Sequence, residues 1–84
     1  MSEADIAARL IDALTKAAAE AAGATAPPIS VSIEFVGVGE AADLKTRVER
    51  KTRTLVFMAG EAFNADGARI ASATAVHKIP DAAA

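Results

Sequence analysis

The chain has 84 residues, a formal charge of −2, one histidine and no cysteine, which bounds it to a single small domain. Those values exclude a disulfide framework, a thiolate zinc site and a global basic field for nucleic acid, and a 52% hydrophobic content with 24% charged residues excludes a disordered tail. Most of the apolar count is alanine, and Phe35, Phe57 and Phe63 are the only aromatics, so the core of one copy is thin and a homodimer or higher homo-oligomer is expected.

Residues 2–22 read as one helix. Ser2 is a suitable N-cap, with Asp5 three residues on completing a capping-box pattern. Ile6, Leu10, Ala13, Leu14, Ala17, Ala18 and Ala21 recur at helical spacing as one apolar stripe. Gly23 is the natural stop, and Pro27-Pro28 forbids continuation. The period then changes to two: Ile29, Val31, Ile33 and Phe35 alternate with Ser30, Ser32 and Glu34, predicting a strand over 29–36. Gly37 and Gly39 punctuate a loop, without the spacing of a phosphate loop. A second strand, 42–50, has a charged outer face of Lys45, Arg47 and Glu49.

Lys51-Thr52-Arg53 reads as the turn into a third strand, 54–64, with Leu55, Phe57, Ala59, Glu61 and Phe63 on one side and Val56, Met58, Gly60 and Ala62 on the other. Asn64-Ala65-Asp66-Gly67 is a hairpin turn into a fourth strand, 69–79, closed by Pro80, and residues 81–84 are expected to fray. The expectation is an α+β domain of two layers, a helix on a four-strand antiparallel meander. The sheet face holding Val56, Met58 and a run of alanines is expected to lack a cover within the chain and to meet a second copy, and the outer strands offer pairing edges.

Four features bear on chemistry. Asp12 lies inside the apolar part of the helix at the border of the stripe, either as a boundary carboxylate pairing with Arg9 or Lys16, or as a partly desolvated base or nucleophile. Arg47, Arg50, Lys51 and Arg53 cluster around the second and third strands, as a solvated edge or as a rim for phosphates. Glu61 alternates in phase with Phe57 and Phe63, which calls for a cross-strand arginine or a pocket wall. His77, near a strand end, reads as a satisfied surface residue. Neither a cofactor nor a metal site is expected.

The order of these pieces resembles the hotdog fold of the acyl-CoA thioesterases, in particular the phenylacetic-acid-pathway and 4-hydroxybenzoyl-CoA-type enzymes. Leu10-Ile11-Asp12-Ala13-Leu14 is similar to that family's helix segment, Ile33-Glu34-Phe35 to its next strand, and Ala42-Asp43-Leu44 to its Gly-Asp-x-Leu loop with alanine for glycine. Lys51-Thr52-Arg53 resembles its basic turn without the glycine, and Asp66-Gly67 through Ile70-Ala71-Ser72-Ala73 its final hairpin. The resemblance covers about residues 6–79 and implies one N-terminal central helix packed on a four-stranded antiparallel sheet. It implies thioesterase-like hydrolysis of a small acyl thioester, with Asp12 as base or nucleophile and Arg50, Lys51 and Arg53 on coenzyme A phosphates.

The family's His-Gly-Gly turn, which polarises the thioester carbonyl, has no counterpart before Glu3-Ala4-Asp5, so an N-terminally shortened hotdog is expected. The alternative is a non-catalytic hotdog module binding an acyl ligand, acyl-CoA or a protein partner. An acidic N-terminus and the lack of a roughly 20-residue apolar stretch predict a cytoplasmic protein, with neither membrane nor nucleic acid as partner.

Overall fold

Ser2 opens the helix as its sequence suggests: the Ser2 hydroxyl accepts from the Asp5 N–H at 3.2 Å, and the Asp5 carboxylate accepts in return from the Ser2 N–H at 3.3 Å. The computed structural model of the chain describes residues 2–80; the expectation of a frayed end over 81–84 lies outside them. Helix α1 runs Glu3–Ala22 and ends at Gly23, whose φ of 70° is the left-handed cap that a side chain resists. Ile6, Leu10, Leu14 and Ala18 form its buried line. Each such Leu or Ile contributes about 1.5–3 kcal/mol relative to exposure.

Four strands follow: β1 (Pro28–Phe35), β2 (Asp43–Lys51), β3 (Leu55–Phe63) and β4 (Arg69–Lys78). They form one antiparallel sheet in the order β1-β4-β3-β2. The expected meander therefore holds for β2, β3 and β4, but β1 pairs with β4, so residues 36–42 carry the chain to the opposite edge of the sheet. Hydrogen bonds from the Val36 and Gly37 N–H groups to the Ile70 carbonyl steer that crossing along β4. Among the described residues the free edges are β1 and β2.

The covered face is the reverse of the one expected. Val56, Met58 and Ala62 of β3 and Ala71, Ala73 and Ala75 of β4 are buried together with the helix line, whereas the Leu55–Phe57–Glu61 side is the one without a helix. Size explains this choice. A Cβ added at Gly60 would lie 3.1 Å from Leu14 Cδ2 and 3.3 Å from the Lys45 carbonyl oxygen, so the leucine rests on bare backbone. Gly60 and Ala62 of β3 and Ala71, Ala73 and Ala75 of β4 admit the helix; Phe57, Glu61 and Phe63 would hold it away. Among the described residues no helix is long and apolar enough to cross a membrane.

Candidate functional site

Asp12 sits two residues from both Leu10 and Leu14, about 200° around the helix from the buried line. The structure accordingly puts it on the side of α1 away from the sheet rather than at the stripe's border. Its carboxylate lies 3.3 Å from Lys16 Nζ, and the two side chains are 69% and 75% exposed. Of the two partners considered, Lys16 is the one it pairs with. Arg9 instead donates from Nη1 to the Ala41 carbonyl at 3.0 Å, tying the helix to the β1–β2 crossing.

The basic residues separate by face. Arg50 pairs in register with Phe57, and Lys51 with Val56, so neighbouring side chains turn to opposite sides of the sheet. Lys51 and Arg53 line a cleft of about 470 Å³ with Ala22, Thr52 and Ile79, where the end of α1 approaches the β2–β3 turn. Thr52 holds that turn: its hydroxyl accepts from the Leu55 N–H at 3.0 Å, and its own N–H donates to the Leu55 carbonyl at 2.8 Å. Two of the three expected phosphate contacts thus share a cleft, and Arg50 lies outside it.

On the helix-free face, Arg69 Nη1 donates to Glu61 Oε2 at 3.0 Å, and Arg47 Nη1 to Oε1 at 3.4 Å. The Arg69 hydrogen bond, reinforced by the Arg47 charge, holds the Glu61 carboxyl below its ordinary value of 4.5. The cross-strand arginine expected from sequence is present twice. Lys45 Nζ stands 5.2 Å from the Phe63 ring centroid, a cation–π contact on the same face. Near this network a second cleft, about 380 Å³, is lined by Ser30, Ser32, Glu49, Phe57, Thr74 and Val76 among others. Sequence reasoning missed it, because alternating Ser and Thr on a strand carry the same pattern as any solvated face.

His77 is not a surface residue. It is fully buried on the helix side in the row of Val56, and Nδ1–H donates to the Ala26 carbonyl at 2.9 Å. Its Nε2 has no hydrogen-bond partner among the described residues. The ring fastens the loop after α1 to the end of β4, a role invisible to a pattern that sees only a lone polar residue near a strand end. Among the described residues no three His, Asp or Glu side chains gather as a metal set.

An X-ray structure of a protein from the thioesterase superfamily superposes on this chain with a TM-score of 0.84, at 20% identity, over 95% of this chain. The fold is the hotdog fold. The match spans 62% of that protein's length. No protein-family model matches the sequence, and no curated protein matches it. In hotdog terms α1 is the central helix, and Asp12 and the Lys51–Arg53 cleft both lie on its layer of the domain.

Proposed function

We propose that this chain is a thioesterase-like hotdog protein acting on a small acyl thioester of coenzyme A, with Asp12 as base or nucleophile. The observation that carries the reading is the fold match to a thioesterase-superfamily protein over 95% of the chain. The spacing along the helix supports it. Asp12 and Ala22, which lines the basic cleft, are ten residues apart, or about 15 Å of helix. An extended pantetheine arm could join a thioester at the first point to phosphates on Lys51 and Arg53 at the second, while Arg50 turns to the other face of the sheet. As base, Asp12 takes a proton from water attacking the carbonyl; as nucleophile, it attacks directly and water then cleaves the mixed anhydride. In either route the coenzyme thiolate leaves. Coenzyme A esters as ligands fit a cytoplasmic setting.

The reading includes a homodimer formed through β1. That edge exposes Ile29 by 60%, Phe35 by 37% and Val36 by 51% and carries no Lys or Arg, whereas β2 presents Lys45, Arg47, Arg50 and Lys51, the kind of charge that discourages edge pairing.

The test is hydrolysis of an acyl-CoA panel by the native chain and by Asp12→Ala. Activity reduced at least about 100-fold in the variant is expected from loss of a general base; equal rates would sink the role of Asp12. A second reading, a non-catalytic acyl-ligand module, draws on the solvent-exposed Asp12–Lys16 pair. Calorimetric binding of acyl-CoA without turnover by the native chain would favour it.

A further inference from the structure

The turn between β2 and β3 closes without a glycine. Two-residue hairpin connections most often use backbone with φ above zero, yet among the described residues only Gly23, Gly39 and Gly67 adopt it. At Thr52-Arg53-Thr54 a side chain does the closing. The Thr52 N–H donates to the Leu55 carbonyl at 2.8 Å, and the Thr52 hydroxyl accepts from the Leu55 N–H at 3.0 Å and the Thr54 N–H at 3.4 Å. The Thr54 carbonyl in turn accepts from the Ile79 N–H at 2.8 Å, which fixes the turn to a wall of the cleft of about 470 Å³. Lys51 and Arg53, on either side of Thr52, line that cleft and have no ion pair among the described residues.

We propose that Thr52 is a positioning residue for the diphosphate end of the coenzyme ester. Its hydroxyl holds the turn so that the Lys51 ammonium and the Arg53 guanidinium meet two adjacent phosphate groups together. This role rests on the acyl-thioester reading and adds to it the residue that orders its cations. Two long cationic side chains on a loose turn lose rotamer and backbone freedom when an anion binds. On a turn already closed, the backbone share of that loss has been met in folding. The neighbouring walls, Ala22 and Ile79, carry no charge to compete for the two cations. Thr52 lies at the Ala22 end of α1, about 15 Å from Asp12 by the helical rise. It therefore acts on binding and leaves the chemical step to Asp12.

The test compares Thr52→Val, Thr52→Ser and Thr52→Asn in the full chain. Valine keeps the branched shape and loses the acceptor; serine and asparagine keep an oxygen that can take the same N–H groups. In acyl-CoA hydrolysis, Thr52→Val should raise KM about five- to tenfold, the equivalent of one lost hydrogen bond, and leave kcat within about twofold of native. The serine and asparagine variants should keep the native KM. Hydrolysis of the matching acyl-pantetheine, which has no phosphate, should be alike in all four proteins. A chain with one glycine inserted between Arg53 and Thr54 opens the same turn without altering Thr52. It should repeat the KM effect, which keeps the test decisive if Thr52→Val does not fold.

Titration with inorganic pyrophosphate separates this role from the reading beneath it. Pyrophosphate bound more weakly by Thr52→Val than by the native chain, by the same factor, supports Thr52's hold on a diphosphate even where no acyl-CoA is hydrolysed. That outcome would count against the acyl-thioester reading alone. Asp12-dependent hydrolysis, with Thr52→Val matching native in KM and in pyrophosphate affinity, would overturn the role of Thr52 and leave that reading standing. Equal losses towards acyl-CoA and acyl-pantetheine would overturn it too, since they would mark Thr52 as support for the fold only. A native chain that neither hydrolyses acyl-CoA nor binds pyrophosphate overturns both.

Discussion

At Gly60 one hydrogen atom decides how closely the helix can lie. The neighbours of an added Cβ are a leucine methyl at 3.1 Å, which can give way, and the Lys45 carbonyl at 3.3 Å, which is backbone. Gly60→Ala should cost about 1–3 kcal/mol by overpacking, measured by urea unfolding. In a Leu14→Ala background the same change should cost markedly less, and a double-mutant cycle reads that coupling. His77 offers a second residue-scale test. His77→Ala removes a buried ring and leaves the Ala26 carbonyl without its donor, an expected loss of about 3 kcal/mol. His77→Asn can still donate to Ala26 and has no Nε2 to bury, so it should recover at least about 1 kcal/mol of that loss. The sequence marks His77 only as a lone histidine; its burial follows from the row it shares with Val56 and from the loop that returns over it.

Among the elements, α1 was the most legible, since its cap residues, apolar stripe and terminal glycine all agree and each acts locally. Ser2→Ala should cost about 1 kcal/mol through loss of the cap, checked by thermal unfolding. The strands were legible from their period of two, but the face that receives the helix was not. Both sides of β3 contain apolar residues, and preferring Phe57 and Phe63 for the core overlooked the room that α1 requires. Strand order was hidden for a related reason: adjacent strands in sequence suggest adjacent strands in space, and only β4 could show that β1 belongs beside it.

The Glu61 network gives the sheet a pH dependence with a definite sign. Its folded carboxyl titrates below the ordinary 4.5 because of Arg69 first and Arg47 second. The stabilisation is therefore fully present above 4.5 and is lost as pH falls through the lower folded value. Glu61→Gln should flatten the acid limb of stability against pH, which unfolding midpoints between pH 5 and pH 2 would register.

For the whole molecule, the hotdog architecture was readable from an ordered set of short patterns, each weak alone. The candidate site was readable in part: Asp12 and the Lys51–Arg53 cleft occupy one layer, while Arg50 turns to the other side. Exposure of Asp12 was the harder matter, because it depends on which turn of α1 faces the sheet.

The position of β1 also bears on how the protein is made. Among the described residues its only neighbour in the sheet is β4, joined through pairs such as Val31 with Ala75 and Ile33 with Ala73. During synthesis α1 and β1 emerge before β2, β3 and β4, yet the residues that pair with β1 among the described ones lie near 75. The hairpins of β2, β3 and β4 form from near neighbours, whereas β1 must wait and then close a loop of some forty residues, the slow and entropically costly step of the fold. Until β4 arrives, both backbone edges of β1 lack their partner among the described strands.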